Sequence, residues 1–433
     1  MQENTVAFRP LKRVLLGLLL LLLALPALQA KWHLVAMRPL DGYSELSPRV
    51  PFSWTDLRTG TFQTQLEKYL DDRIGFREWT IRLRNQLAYS LFGVLHANDV
   101  LLGQRQVLFQ PAHIDSYLGR DYLGPEQIAF HARRVRNVQD SLARHGVQLL
   151  YVLAPGKPRF QPEDLPARLA ATWPGPTNYE GFAQALPAAG VHVLDAAALF
   201  QQWKARAAHP LFPRGGTHWS GYSISLVADT LFRAVEGLTH VDLPDFKAGP
   251  GVVTLDSLRA TDNDIAKGLN LLRGPTPYPM AYPVVAFAPA TPRQQRPNVL
   301  LVGDSFTQSL YLFSPYLPKL FDARSRFWYY NQTTFWPEVT PNESHNVHEL
   351  NLRQQVESRQ LIILLATEQN LNKCGFGFID EVYTLYHPFT AADEARIQEL
   401  VNQLQAKLTW EESSHVTGEQ LHQQAVAQHE RER

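Results

Sequence analysis

Four short runs of almost uninterrupted apolar residues constrain the fold of this chain more than any other feature. The runs are Val147–Pro155, Val191–Ala196, Asn298–Gly303 and Gln360–Glu368. Apolar runs without alternation are typical of parallel strands that are buried on both faces. Segments with helical periodicity accompany them, at Gln127–His145, from Ser220 onward and from Thr390 onward. Strands that alternate with helices predict an α/β layered fold with a mostly parallel sheet and flanking helices.

The N-terminus predicts a membrane segment. Arg9, Lys12 and Arg13 precede the apolar stretch 14–30, which is at the short end of what a spanning helix needs. A basic flank keeps the start of a chain in the cytoplasm and sends the remainder across the membrane. Two interpretations stay open. The segment is either an uncleaved single-pass anchor of the inner membrane, with the bulk in the periplasm, or a signal peptide whose removal leaves a soluble periplasmic protein.

The remainder of the chain divides into three further segments. After residues 1–30, which hold the cytoplasmic tip and the apolar segment, we predict a stalk over 31–58, a globular domain over 59–409 and a polar, frayed tail over 410–433. At the start of the globular domain, Gly60–Leu87 predicts two helices that are broken at Gly75. Asn98–Phe109 predicts a β-hairpin.

Composition excludes several classes of function. Lys plus Arg and Asp plus Glu both number 41, so no overall charge favours nucleic acid as a partner. The only cysteine, Cys374, rules out an internal disulfide framework and a cysteine-rich metal site. The sequence contains no motif that requires a metal or an organic cofactor.

Ser305 is the candidate nucleophile. It follows Gly303 and Asp304 at the end of an apolar run, and chemistry in open α/β sheets gathers at the carboxyl ends of strands. A serine hydroxyl needs a base within hydrogen-bond reach. The candidate base is His218, which lies in the glycine-rich stretch 213–223. The Gly-Asp-Ser tripeptide alone is equally compatible with an ordinary strand-to-helix turn.

Taken together, these motifs resemble those of the SGNH-hydrolase-like polysaccharide O-acetyltransferases of the alginate type, which include AlgJ and AlgX. The resemblance extends over roughly residues 45–405. The matching positions are Gly60, Phe62, Asp72, Arg73 and Arg77 in the first helical region, Pro155 and Lys157 after the first core strand, His218 with Trp219, and Gly303 to Phe306.

The resemblance implies a layered SGNH-hydrolase-like domain that transfers acetyl groups. The acetyl group would pass through an acyl-Ser305 intermediate, with His218 as the base, to a hydroxyl of an extracytoplasmic polysaccharide. A membrane-bound O-acyltransferase would donate it. No cofactor is implied. Two alternatives are a carbohydrate acetyl-esterase and a non-catalytic scaffold of the acetylation machinery.

The chain departs from the family pattern at one position of the expected site. The aspartate that the family carries two residues before the histidine is Gly216 here. In serine hydrolases this carboxylate orients the imidazole and stabilises its protonated form. Three options follow: Glu368 at the end of an apolar run replaces the aspartate, a backbone carbonyl orients His218 in a dyad, or the site is degenerate. Asp304 is expected to shape the turn rather than to act on His218.

Other residues are weaker candidates for the site. Tyr330 and Asn331 are interpreted as possible oxyanion-hole donors or sugar-stacking groups, with ordinary strand-and-turn packing as the alternative. Lys157 is a candidate for contact with an anionic part of the substrate, and Trp219 for a place beside it. For Lys157 the alternative is a solvated surface lysine.

Overall fold

A six-stranded sheet forms the centre of the molecule. The computed structural model describes residues 9–42, 46–170, 172, 175–289, 291–338, 344–408 and 418–432. The strands of the whole molecule, six of which form this sheet, are β1 (Leu101–Leu102), β2 (Leu108–Phe109), β3 (Gln148–Ala154), β4 (Val193–Asp195), β5 (Phe246–Thr254), β6 (Met280–Phe287), β7 (Val299–Gly303), β8 (Arg326–Tyr329), β9 (Thr333–Trp336) and β10 (Leu361–Thr367). The central sheet has the order β4-β3-β10-β7-β8-β9.

The central sheet is parallel except at one edge. Strand β10 lies in the middle, where Leu361 pairs with Gln148 of β3 on one side and with Val299 of β7 on the other. Strands β4 and β8 also run parallel to their neighbours, and only β9 is antiparallel. The predicted α/β fold and its four strands are therefore confirmed, and β8 and β9 extend the sheet beyond the predicted runs.

Helices cover both faces of this sheet. The helices of four or more residues are α1 (Arg9–Trp32), α2 (Trp54–Thr59), α3 (Thr61–Asp71), α4 (Arg77–Phe92), α5 (Pro111–Tyr117), α6 (Pro125–Arg144), α7 (Lys157–Phe160), α8 (Ala167–Ala170), α9 (Asn178–Ala188), α10 (Ala196–Trp203), α11 (Gly221–Thr239), α12 (Asp264–Gly268), α13 (Ser309–Leu312), α14 (Tyr316–Leu320), α15 (Leu352–Glu357), α16 (Phe378–Tyr386), α17 (Ala391–Lys407) and α18 (Gly418–Glu432). Five 3₁₀ turns lie at Gln104–Gln106, Pro162–Asp164, Ala260–Asn263, Val347–Glu349 and Glu368–Lys373.

The core consists of two apolar layers, one on each side of the sheet. Leu150 and Val152 of β3 pack with α11 on one side, whereas Leu149 and Leu153 pack with α6 on the other. Successive side chains of a strand point to opposite faces, so a strand that is buried on both faces must be apolar throughout. Burial of each such side chain contributes about 1.5–3 kcal/mol.

The sequence signals for helix starts agree with the structure. Ser220 precedes α11, and its hydroxyl accepts a hydrogen bond from the Ser223 amide. Thr390 and Asp393 form a reciprocal capping box at the start of α17. Such caps satisfy amide groups that have no partner within the helix.

Two regions differ from expectation. Strands β5 and β6 form a separate antiparallel pair that the sequence did not indicate, and the chain between them carries residues 260–268 back over the end of the central sheet. The C-terminal tail was expected to be frayed, but Gly418–Glu432 is helical and buries Ala425 against Ile397 and Leu400 of α17. Residues 409–417 lie outside the described part of the chain.

The N-terminal region follows the predicted order. Helices α3 and α4 lie on either side of the predicted break at Gly75, and β1 and β2 form a short hairpin. Helix α2 begins at Trp54, within the predicted stalk. Among the described residues, one helix is long and apolar enough to cross a membrane, at Pro10–Trp32.

Candidate active site

Ser305 lies in a tight turn at the carboxyl end of β7. The Thr307 amide donates to the Asp304 carbonyl at 3.1 Å, and the Gln308 amide donates to the Ser305 carbonyl at 3.2 Å. Gly303 permits this turn, because a β-carbon there would overlap the Thr307 hydroxyl and lie 2.8 Å from the Leu365 carbonyl oxygen. The turn therefore presents Ser305 at the edge of the sheet, where it lines a cleft of about 710 Å³.

Asp304 lies beneath the turn and is fully buried. Its carboxylate accepts hydrogen bonds from the Phe306 amide at 3.1 Å, the Thr367 amide at 2.8 Å, the Asn370 side chain at 2.8 Å and the Thr367 hydroxyl. These bonds join the end of β7 to the end of β10. The geometry agrees with the expectation that Asp304 shapes the turn.

His218 connects Ser305 to a carboxylate. The Nε2 atom of His218 lies 2.8 Å from the Ser305 hydroxyl, and Nδ1 lies 2.5 Å from Oδ2 of Asp264. The other oxygen of Asp264 accepts from the Thr217 amide at 3.0 Å and from its neighbouring Ile265 amide at 2.8 Å. With the Nδ1 proton directed at Asp264, the lone pair of Nε2 faces the serine hydroxyl, as general-base catalysis requires.

The carboxylate beside His218 corrects one expectation. Glu368 does not lie there: its side chain is buried, and its Oε1 atom accepts two hydrogen bonds from Arg159, at 2.9 Å and 2.7 Å. Burial raises the pKa of Glu368, and the Arg159 guanidinium opposes that rise. Since one carboxylate can occupy the Nδ1 side of His218, the acidic member is Asp264, and the expected substitution by Glu368 is wrong.

The close approach of residues 260–268 explains why position 216 is a glycine. A β-carbon at Gly216 would lie 2.5 Å from the Thr261 carbonyl oxygen and 2.8 Å from Pro213. At Gly215 it would lie 2.6 Å from Asn263 and 2.8 Å from Ala266. The space that an aspartate side chain would need is therefore filled by the backbone of the segment that carries Asp264.

Lys157 holds the His218 loop from below. Its ammonium group donates to the carbonyl oxygens of Leu108 at 2.8 Å, Gly216 at 2.7 Å and Arg214 at 3.1 Å. It is 1% exposed, and burial lowers the pKa of Lys157 to about 7. The ammonium group therefore contacts backbone carbonyl oxygens rather than substrate or solvent. Both predictions for Lys157, a contact with substrate and an exposed position on the surface, are wrong.

Trp219 is likewise buried beneath the cleft. It is fully buried, its indole donates to the Phe306 carbonyl at 3.1 Å, and its ring meets that of Phe306 edge-on at 5.3 Å. The Phe306 ring lies 4.8 Å from the His218 imidazole. Trp219 is thus placed to support the residues on either side of the catalytic pair, and the expected contact with substrate is not available to it.

Tyr330 and Asn331 point in different directions. They follow β8 with φ angles of 52° and 55°, a left-handed turn. Tyr330 lines the cleft together with Ser305, and burial raises the pKa of Tyr330 to about 12. Asn331 is buried and donates to Glu381 at 3.1 Å. Tyr330 therefore keeps its proton near the site, while the Asn331 amide is engaged elsewhere.

The rest of the cleft comes from loops at this end of the sheet. Residues 41–42, 97–100 and 110–112 line it together with Tyr329 and Gln369. A second groove of about 510 Å³ adjoins it and shares Asp41. Within the described residues, no group of three or more His, Cys, Asp or Glu side chains is arranged to hold a metal ion.

Asp264 is the functional candidate that sequence reasoning missed. It lies 46 residues after His218, in a stretch with neither a strand run nor a family motif. The signal that was present is indirect. Two consecutive glycines before the histidine indicate a close approach by another backbone, but they do not say which one.

Comparisons with known proteins give a match to one family and to several relatives. Residues 100–324 match the family model described as SGNH hydrolase-like domain, acetyltransferase AlgX. Two probable alginate O-acetylases AlgJ are similar to the chain. The one from Azotobacter vinelandii is 27% identical over 182 residues, 42% of this chain and 45% of that protein. The one from Pseudomonas putida is 32% identical over 136 residues, 31% of this chain and 34% of that protein. The chain thus matches less than half the length of these relatives.

Solved structures show weaker similarity. The O-acetyltransferase domain of Pseudomonas putida AlgJ has a TM-score of 0.42 at 23% identity, over 66% of this chain and 99% of that one. Pseudomonas aeruginosa AlgX has a TM-score of 0.41 at 14% identity, over 65% of this chain and 67% of that one.

Replacement of Asp264 tests the carboxylate assignment. Asp264→Asn is expected to lower the rate of Ser305 acylation by up to about 10⁴-fold, because the imidazole loses its orienting and stabilising charge. Glu368→Gln is the matched control. It weakens the buried pair with Arg159, so the free energy of unfolding should fall while acylation of the folded protein persists. Single-turnover kinetics with a chromogenic acetyl ester, alongside urea denaturation, measure both. An Asp264→Asn protein as fast as wild type would remove Asp264 from the site.

Restoring the family aspartate should harm this protein. Gly216→Asp places a side chain against the Thr261 carbonyl, so residues 260–264 must move and Asp264 must leave His218. Acylation should fall at least as far as in Asp264→Asn, and the double variant Gly216→Asp with Asp264→Asn should recover nothing. Gly237→Asp adds the same group where there is open space, and is expected to be neutral. Recovery of acylation in the double variant would show that position 216 accepts the acid after all.

Proposed function

The chain belongs to the family of SGNH hydrolase-like AlgX acetyltransferase domains, and from this premise we propose that it is a serine-dependent O-acetyltransferase of a polysaccharide. The observation that carries the proposal is the continuous hydrogen-bonded series from Asp264 through His218 to Ser305 at the floor of an open cleft. This series suits acyl transfer, because His218 can take the proton of the Ser305 hydroxyl during attack and then give it to the leaving oxygen.

The reaction proceeds in two half-reactions. The Ser305 hydroxyl attacks the acetyl carbonyl while Nε2 of His218 takes its proton. His218 then gives that proton to the departing donor oxygen, leaving acetyl-Ser305. In the second half, a sugar hydroxyl gives its proton to His218 and attacks the acyl carbonyl. Ser305 departs and recovers the proton. Asp264 stabilises the imidazolium that forms in each half.

The negative charge that develops on the carbonyl oxygen needs donors that are already in place. Two groups at the turn suit this role. The Ser305 amide has no acceptor among the described hydrogen bonds, and it lies next to the reacting hydroxyl. Tyr330 lines the same cleft as Ser305 and, with its raised pKa, keeps its hydroxyl proton at neutral pH. We assign Tyr330 as the side-chain donor of the oxyanion hole.

The shape of the site suits a polymeric acceptor. The volume of the cleft is in the range of small-molecule sites, about 300–1,000 Å³, and the adjoining groove extends it past Asp41. Arg38, Lys267 and Arg273 line that groove. The two adjoining grooves, in which these basic side chains lie beside Asp41 and Asp256, fit several sugar units of a polysaccharide, in agreement with the relatives named as alginate O-acetylases.

Helix α1 supports a proposal for the cellular location of the protein. We propose that this helix is an uncleaved anchor in the inner membrane and that the domain faces the periplasm. The donor would be a membrane-bound O-acyltransferase, since an acetyl group has to cross the membrane to reach this cleft. The scaffold alternative rested on the loss of the aspartate at position 216, and Asp264 removes that basis.

Substitution of the catalytic pair tests the reaction. Ser305→Ala should abolish both ester hydrolysis and labelling by a serine-directed phosphonate. His218→Ala should slow acylation by roughly 10²–10⁴-fold. Ser309→Ala, one turn further along, is the matched control and should act as wild type. With an acetyl ester and an alginate oligosaccharide present, wild type should yield acetylated sugar. Release of acetate alone at an unchanged rate would identify an esterase.

Removal of the Tyr330 hydroxyl tests the oxyanion hole. Tyr330→Phe should lower kcat by about 10²–10³-fold with little change in KM, because the donor acts in the transition state. Tyr311→Phe, on the exposed helix α13, is the control. Steady-state hydrolysis of a small acetyl ester provides both constants. Wild-type kcat in Tyr330→Phe would leave backbone amides as the only donors.

Protease accessibility tests the topology. In spheroplasts, added protease should digest the chain beyond residue 32, while the membrane retains the N-terminal fragment, because basic residues precede a single apolar helix. Intact-mass analysis of the membrane-bound chain should show that α1 is retained. Protection of the domain would contradict the periplasmic location, and a mature chain lacking α1 would identify a signal peptide.

A further inference from the structure

Helix α4 is oriented with polar residues inside and apolar residues outside. Its only buried residues are Arg82 and Asn85. Trp79, Leu83, Leu87 and Leu91 recur every fourth position, and each is at least half exposed; Phe92, the last residue of the helix, is 75% exposed. A helix on the surface of a soluble domain normally shows the opposite arrangement. We call the residues Trp79, Leu83, Leu87, Leu91 and Phe92 the α4 stripe.

The orientation of α4 is fixed by its buried polar groups. The guanidinium of Arg82 donates to the carbonyl oxygens of Arg38 at 2.8 Å and Pro39 at 2.6 Å. The Asn85 amide donates to the Leu269 carbonyl at 2.9 Å. A rotation that buried the leucines would break all three bonds and leave buried polar atoms unsatisfied, which costs about 1–3 kcal/mol each. The stripe must therefore be covered by something outside this domain.

The α4 stripe begins where the chain touches the candidate membrane helix α1. A β-carbon at Gly75 would overlap the Pro26 carbonyl oxygen and lie 2.8 Å from the Ala30 amide nitrogen. On the same side, Leu70 and Ile74 face Leu22 and Leu23 of α1 across an apolar cavity of about 700 Å³. At 1.5 Å per residue, Pro26 lies about 9 Å below the end of α1 at Trp32. Interfacial helices insert to about that depth, 5–10 Å.

The residues around the stripe suit a bilayer surface. Trp32 at the end of α1 and Trp79 at the start of the stripe are both more than half exposed. Tryptophan is enriched at membrane interfaces. Lys31 and Arg73 line the cavity between α1 and α3. The one cation on the exposed side of α4 is Arg84, whose long side chain can reach the headgroups while its methylene groups stay in the apolar layer.

We propose that the α4 stripe lies in the outer leaflet of the same bilayer that α1 crosses, as an interfacial helix. This inference rests on the proposed anchoring by α1. A lipid surface fits better than a protein groove because Leu70 and Ile74, which precede the stripe, share an apolar cavity with the candidate membrane helix α1. Through Asn85 and Leu269 the helix is also bonded to the segment that carries Asp264, so contact with the bilayer would fix the orientation of the cleft relative to the membrane.

Site-directed fluorescence on the full chain tests the proposal. In a Cys374→Ser background, Leu83→Cys and Leu87→Cys are each labelled with bimane, and the protein is reconstituted into nanodiscs of phosphatidylethanolamine and phosphatidylglycerol. Val284→Cys is the control, an apolar position on β6 that is 63% exposed, against 50% for Leu83 and Leu87. Retained hydrolysis of a small acetyl ester shows that each labelled protein is folded. Emission is then measured with shallow doxyl-labelled lipid and with aqueous iodide.

The labels at positions 83 and 87 should be quenched several-fold more strongly by doxyl lipid than the label at 284, and several-fold less by iodide. Equal iodide quenching at all three positions, without lipid quenching, would overturn the proposal. Protection from iodide without lipid quenching would overturn it too, because a second protein copy or another partner would then cover the stripe. Failure of the active chain to enter nanodiscs would remove the anchoring itself, whereas loss of ester hydrolysis in wild type would count only against the proposed function.

Discussion

The contact between the His218 imidazole and the Asp264 carboxylate, at 2.5 Å, is the interaction on which the rest of the site depends. It joins two segments that are remote in sequence and fixes the proton on the side of the ring away from Ser305. The contact exists because the Ala266 amide donates to the Gly215 carbonyl at 2.9 Å and the Thr217 amide donates to Asp264 at 3.0 Å. A side chain at Gly216 would separate the two segments. Glycine at position 216 is therefore what allows Asp264 to reach His218.

The His218 loop is held from the opposite side by an unusual support. Lys157 is buried, and its ammonium group donates to three backbone carbonyl oxygens rather than to a carboxylate. Burial of a lysine is costly, as its lowered pKa indicates. That cost is offset by bonds that tie the hairpin strand β2, the loop at 214–216 and the end of β3 into one unit. Together with Trp219 beneath Phe306, it leaves His218 little freedom to leave Ser305.

The sequence predicted the sheet and the catalytic pair for a physical reason. Strands buried on both faces require apolar runs, so β3, β4, β7 and β10 are visible in the sequence, and Ser305 follows one of them directly. Strands β5 and β6 were not visible because their exposed faces impose no such pattern. The segment between these two strands carries Asp264, so the acid was missed with them. Glu368 was a reasonable alternative from its place at a strand end, but its side chain pairs with Arg159 instead of His218.

The sequence by itself determined the α/β class, the positions of four buried strands and the apolar N-terminal segment, and it offered Ser305 and His218 as candidates. These are local properties: periodicity, strand ends and short motifs. Only the tertiary structure decided which carboxylate meets His218, that Lys157 binds backbone rather than substrate, and that α4 presents its leucines outward. Each of these depends on which segments of the chain contact each other in the folded protein. A contact between residues 46 positions apart leaves no local pattern in the sequence, whereas a strand buried on both faces leaves a continuous apolar run.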